Sequence, residues 1–215
     1  MDAAQTEQCM EVKKQRKGIM GGTFDPIHNG HLKLAECARR QLSLETVLFL
    51  PSGNPPHKQH RRDGATDAQR LDMVQLAIRG CPYFLLDAEE MLRGGLTYTR
   101  DTIVRMKKRE PGTEFYFIIG GDSLMAFDTW YHPDTICENC VLVATGRDDL
   151  ASETIRRKMD ELKETFGARI VLLDLPKMQI SSTDLRRRCR EHESIRGLVP
   201  DAVMEYIEEN GIYGG

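Results

Sequence analysis

Six short, continuous apolar runs set between longer amphipathic stretches constrain the fold of this chain more than any other feature. The runs are "GIM" (18–20), "VLFL" (47–50), "YFLLD" (83–87), "EFYFIIG" (114–120), "VLVAT" (141–145) and "RIVLLD" (169–174). Continuous apolar runs, as opposed to alternating ones, predict strands covered on both faces. Between them the apolar spacing turns helical near 30–42, 67–79, 99–109 and 151–166. The second of these helices opens on Thr66 with Gln69 three residues on, a capping-box spacing, and stops at Gly80-Cys81-Pro82. Strand and helix in alternation predict an α/β chain with a Rossmann-like, doubly wound and mainly parallel sheet. Two more helices, after "MQISS" and within "GLVPDAVMEYIEENGIY", are expected beside the sheet, the last with Pro200 at its start and Gly211 at its end.

The length suits a single domain over residues 18–215, and polar residues 1–17 read as a flexible extension. No stretch approaches the roughly 20 apolar residues of a membrane span, and the N-terminus lacks a signal-peptide core, so a cytoplasmic protein with no membrane partner is expected. A net charge of −3 gives no general pull toward nucleic acid, and an anionic ligand would have to be held by local groups. The six cysteines fall in predicted elements and suit reduced thiols better than a disulfide framework. Cys137-Glu-Asn-Cys140 has no second pair and reads as structural rather than zinc-binding. The sequence is compatible with a monomer or a homo-oligomer.

Two motifs carry chemistry. In "GGTFDPIHNGH" (21–31) the chain is expected to leave the first strand, turn through Gly21-Gly22 and enter a helix near Asn29-Gly30. Glycines allow a ligand close approach, and a helix N-terminus favours an anion. His28 and His31, three residues apart, would share a helix face and could donate to phosphoryl oxygens. A metal site is the weaker reading, because no further ligands are specified nearby, and purely structural histidines are the other alternative. In "ISSTDLRRR" (180–188) Ser181, Ser182 and Thr183 could cap a helix or donate to phosphate, and Arg186 could turn its fork toward an anion; a well-capped surface helix is the plain alternative. Helix N-termini of a parallel sheet gather at the carboxyl ends of its strands, so the two motifs can serve one ligand.

Together these motifs resemble the nucleotidyltransferases with an H-x-G-H signature. "PSGNPPHK" (51–58), "RLDM" (70–73), "DAEEMLRGGLTYTRDT" (87–102), "FIIGGDSLMAFDTW" (117–130) and "VPDAVMEYI" (199–207) narrow the resemblance to the bacterial nicotinate-nucleotide adenylyltransferases, over residues 18 to about 212. The resemblance implies transfer of the adenylyl group of ATP to nicotinate mononucleotide, with Mg²⁺ on the ATP phosphates and no metal cage of the protein's own. It assigns catalysis to His28, His31 and Arg186, and the ATP contacts to Gly21, Gly22, Thr23, Phe24, Gly30, Ile180, Ser181 and Ser182. It assigns the mononucleotide to Lys58, Tyr98, Thr99, Asp122 and Trp130. For several of these a plain reading stands alongside: a solvated loop lysine for Lys58, helix capping for Thr99 and Asp122, core or rim packing for Trp130. Nicotinamide mononucleotide or phosphopantetheine as acceptor, and a non-catalytic nucleotide sensor, are the competing functions.

Overall fold

The computed structural model describes residues 14–54, 64–145, 149–175 and 180–214, with the side chains of 149–152 outside that description. Six strands form one parallel sheet: β1 (Arg16–Gly22), β2 (Thr46–Pro51), β3 (Phe84–Leu86), β4 (Glu114–Ile119), β5 (Cys140–Thr145) and β6 (Ile170–Leu173), in the order β3-β2-β1-β4-β5-β6. This is a doubly wound, Rossmann-like α/β architecture. Strand order reverses between β1 and β4, and in such sheets ligands bind outside the carboxyl ends of the strands at that reversal.

Side chains alternate between two apolar layers. Met20, Val47, Phe49, Tyr116 and Ile118 face one layer, while Ile19, Leu48, Leu50, Phe115, Phe117 and Ile119 face the other. Burial on both faces is why the runs read as uninterrupted, and each fully buried Ile or Phe contributes about 1.5–3 kcal/mol. The first layer is closed by α1 (Asn29–Gln41), α2 (Asp67–Ile78), α8 (Ser182–Arg190) and α9 (Asp201–Glu209); α4 (Thr99–Arg109), α6 (Pro133–Asn139) and α7 (Asp149–Phe166) close the second. The capping box expected at Thr66 and Gln69 is present, each residue's side chain bonding the other's backbone N–H.

Several boundaries differ from the sequence reading. Gly21 and Gly22 do not turn the chain; they remain in β1, paired with Leu50 and Pro51, and the turn comes later, at Phe24, whose φ is 51°. The last helix starts and ends as expected, with Pro200 as the cap of α9 and Gly211 following it with φ of 58°. Short helices α3 (Glu89–Arg93) and α5 (Gly121–Met125), a 3-10 turn at Phe127–Thr129, and α6 lie between the predicted elements. Cys137 and Cys140 are buried where α6 meets β5, the Cys140 thiol donating to the Ile136 carbonyl. Burial pushes the Cys137 thiol up to about 11 and that of Cys140 further still, which is the behaviour of packed thiols. Among the described residues no helix is long and apolar enough to cross a membrane.

Candidate active site

The site begins at the reversal, where β1 delivers Gly21, Gly22 and Thr23 to the sheet's edge. A Cβ on Gly21 would lie 3.3 Å from the Phe117 ring, and one on Gly22 would lie 3.0 Å from the Phe24 ring. The two glycines therefore make room for aromatic rings as well as for a ligand. Phe24, expected to border a nucleotide, is instead 2% exposed; its ring packs against Phe49 and meets the edge of His31 at 5.1 Å.

His28 caps α1 and His31 stands at its third position, with Gly30 between them. The rings stack at 3.6 Å between centroids, 20° from parallel. The His28 backbone N–H donates to His31 Nδ1 at 3.2 Å, which places the His31 proton on Nε2, outward from that bond. His28 Nδ1 is buried without a hydrogen-bond partner. Burial lowers the His28 imidazole to about 4, and burial followed by the neighbouring His28 holds His31 well below its ordinary value. The pair is thus neutral near pH 7. The helix start is fixed by Asn29, whose backbone N–H donates to the Leu198 carbonyl at 2.9 Å and whose Nδ2 donates to the Gly197 carbonyl at 2.8 Å.

The second motif packs directly on the first. Ser182 Oγ donates to the Pro26 carbonyl at 2.9 Å, and Arg186 Nη1 donates to the Asp25 carbonyl at 2.5 Å. Ser181 Oγ accepts the Asp184 N–H as the cap of α8, and Ile180 packs on the core just before it. Ser181 is thus the cap that was expected, its oxygen accepting the bond, while the Ser182 hydroxyl donates to the Pro26 carbonyl and joins the two motifs. Arg186, 7% exposed, also donates from Nη2 to Thr183 Oγ1 at 3.2 Å; two of its five N–H donors are used in these bonds.

Beside this junction a cavity of about 370 Å³ opens at the carboxyl ends of β1 and β4. Gly21, Gly22, Thr23, Thr99, Asp122 and Trp130, all expected at the site, line it together. Asp122 stands in the first turn of α5, which Gly120 caps, so capping is not its role. Trp130 meets the Phe117 ring edge-on at 6.1 Å and tilts against Phe127 at 5.3 Å, which fixes its indole at the cavity wall. Thr99 is the first residue of α4, with Tyr98 as the cap and no side-chain capping bond. Tyr98 does not line the cavity; its ring lies 4.5 Å from that of Tyr131. Lys58 lies outside the described residues.

The other lining residues escaped the sequence reading, among them the polar Ser52, Glu90 and Thr102. Glu90 is 6% exposed and accepts from Thr102 Oγ1 at 2.7 Å, and burial raises its carboxyl against the pull of Thr102 and the Gly53 N–H. A Cβ on Gly53 would fall 2.5 Å from the Glu90 carbonyl oxygen, so glycine is required there. Arg70 was also missed as a functional support. Buried in α2, its Nη1 donates to the Thr23 carbonyl at 2.7 Å and the Ser52 carbonyl at 2.9 Å, and Nη2 pairs with Asp67 at 2.7 Å, tying together the chain beyond β1 and β2.

The sheet edge thus carries two adjoining features: a neutral imidazole pair beside a buried guanidinium, and a cavity with an acid and an indole. Comparisons with known proteins place the chain in a family. A cytidylyltransferase-like family model matches residues 19–188. A protein of Lachnoclostridium phytofermentans named "Probable nicotinate-nucleotide adenylyltransferase" is 45% identical over 93% of this chain and 99% of its own. One of the same name from Moorella thermoacetica is 40% identical over 92% and 91%. Among solved structures, the nicotinic acid mononucleotide adenylyltransferase of Plasmodium falciparum, complexed with NaAD, superposes with a TM-score of 0.74 at 20% identity, covering 93% of this chain and 97% of that one, a likeness of fold. On these residues and relatives, the chain belongs to the nicotinate-nucleotide adenylyltransferase family of cytidylyltransferase-like nucleotidyltransferases.

Proposed function

We propose that this protein transfers the adenylyl group of ATP to nicotinate mononucleotide, yielding nicotinate adenine dinucleotide and pyrophosphate. The observation that carries the proposal is the adjacency of the histidine pair and the Asp122–Trp130 cavity across Gly21–Thr23, which gives a triphosphate and a pyridine nucleotide neighbouring places. A phosphate oxygen of the mononucleotide attacks the α-phosphorus of ATP, and the bond from that phosphorus to the β-phosphate oxygen breaks. The acceptor phosphate, with a second pKa of about 6, is already ionised near neutrality and needs no strong base.

The protein's part is then to position and to stabilise charge. Neutral His31 offers its Nε2–H to a phosphoryl oxygen, and Phe24 and the stacked His28 hold that ring in place. Arg186 keeps N–H donors for the departing pyrophosphate while anchored on Asp25. Asp122 and Trp130 line the cavity, and in this reading Asp122 accepts from a ribose hydroxyl and Trp130 stacks on the pyridine ring. Lys58 and Tyr98 are proposed as outer contacts of the mononucleotide. In this reading Mg²⁺ would be carried on ATP oxygens and water and would neutralise triphosphate charge.

Pyrophosphate release from ATP, with nicotinate mononucleotide, nicotinamide mononucleotide and phosphopantetheine supplied separately, tests the proposal. Turnover is expected with the first. Absence of turnover with either mononucleotide refutes adenylyl transfer to a pyridine nucleotide, and faster turnover with the amide reassigns the substrate.

A further inference from the structure

Beyond α9 the chain turns at Gly211, with φ of 58°, and at Tyr213, with φ of 66°, and the Ile212 N–H donates back to the Ile207 carbonyl at 3.0 Å. This turn sends the Tyr213 ring into the protein, where it is 8% exposed, and its hydroxyl donates to Asp25 Oδ1 at 2.6 Å. The same oxygen accepts the Ala65 backbone N–H at 3.0 Å. The other carboxylate oxygen, Oδ2, lies 3.7 Å from Arg186 Nη1, too far for a hydrogen bond, although Nη1 does bond the Asp25 backbone carbonyl. Asp25 is 8% exposed, so its carboxylate is a buried charge whose orientation is set by these neighbours.

We infer that Tyr213 is a positioning residue for the triphosphate site: by holding Asp25 Oδ1, its hydroxyl keeps the carboxylate from closing on Arg186 and so keeps guanidinium donors available to ATP. A planar carboxylate released on one side turns to the nearest cation, and a two-pronged pair with Arg is the preferred geometry. Here the nearest cation is the one that must meet the leaving pyrophosphate. Burial beside Asp25 raises the Tyr213 hydroxyl far above its ordinary range, so it remains a donor at every working pH. Nothing in this arrangement touches the Asp122–Trp130 cavity, so the effect belongs to ATP and not to the acceptor.

The inference rests on the adenylyl-transfer reading, and binding measurements separate the two. Titration calorimetry of the full chain with a non-hydrolysable ATP analogue and, separately, with nicotinate mononucleotide reads each ligand without turnover. Tyr213→Phe, which keeps the ring and removes the hydroxyl, is expected to weaken the analogue about tenfold and leave the mononucleotide unchanged. Asp25→Asn removes the competing charge while keeping an oxygen for Tyr213 and Ala65, so it is expected to bind the analogue at least as tightly as the wild type. In the double variant the loss from Tyr213→Phe should disappear. Unchanged analogue affinity in Tyr213→Phe, an equal loss for both ligands, a loss that persists with Asn at position 25, or weaker binding in Asp25→Asn alone overturns the inference; the Asp25→Asn arm decides the matter should Tyr213→Phe not fold. An analogue that binds without turnover of any mononucleotide refutes the substrate reading instead.

Discussion

Replacing His28 with Asn should make the fold markedly less sensitive to acid. His28 titrates at about 4 in the folded protein, against 6.5 for an unperturbed imidazole, because burial penalises its charged form. The folded value is the lower one, so the unfolded chain binds the proton more readily. Stability held by the neutral ring is complete above about pH 6.5 and is lost as pH falls toward 4. At about 1.4 kcal/mol for each tenfold difference in proton affinity, the gap corresponds to about 3 kcal/mol, of which about 2 kcal/mol should be gone by pH 5.

Asn can still cap α1 and does not titrate, so it removes the proton effect while retaining the helix start. Urea unfolding at pH 7.5, 6 and 5 should therefore show the wild type losing about 2 kcal/mol more than His28→Asn, a difference of about 1 M in midpoint at a slope of about 2 kcal/mol per M. Acid effects from other groups cancel in the comparison. Parallel losses in the two proteins across this range would refute the account of a neutral, buried pair. In the proposed binding mode the ATP oxygens lie beside the rings and favour their charged forms, so protection by ATP should grow as the pH drops.

Other perturbations follow from the same geometry. His31→Ala should lower kcat by about 10²–10³ in the pyrophosphate assay with an unchanged circular dichroism spectrum, the scale of losing one preorganised donor; wild-type turnover would remove the role. Gly53→Ala should cost about 1–3 kcal/mol by urea unfolding, since the clash at 2.5 Å is with backbone that cannot rotate aside. Cys137 and Cys140 should resist iodoacetamide at pH 8 in the native protein and react after unfolding, as read by peptide mass spectrometry.

The sheet was legible because burial on both faces leaves continuous apolar runs, and α1, α2 and α4 were legible because they are long enough to repeat. Helices α3, α5 and α6, of five to seven residues, hold too few turns for periodicity to register. The pair Gly21-Gly22 read as a turn because glycine usually interrupts strands, yet here the ladder to β2 runs through both. Part of the cavity was foreseen, at Gly21, Gly22, Thr23, Thr99, Asp122 and Trp130, whose types suit a nucleotide. Glu90 and Arg70 were not, since a charged residue on an amphipathic helix reads as solvated until the fold buries it at 6% and 4% exposure. The orientation of Arg186 depends on Asp25, 161 positions away, a relation that no local pattern records.

The placement of β4 against β1 also bears on how the protein is made. Residues Arg16–Met20 pair with Glu114–Ile118, nearly a hundred positions later, while β2 and β3 join the opposite side of β1 much sooner. A nascent chain that has assembled β1, β2 and β3 therefore presents an open, apolar edge at what will become the centre of the sheet. At about 5–20 residues per second, the stretch from the end of β3 at Leu86 to the end of β4 at Ile119 takes roughly 2–7 s to synthesise, and the edge waits that long for its partner. Unpaired edges are templates for aggregation, so the middle of this molecule is its most exposed part during translation, and the step that completes the ligand cavity is the one that closes it.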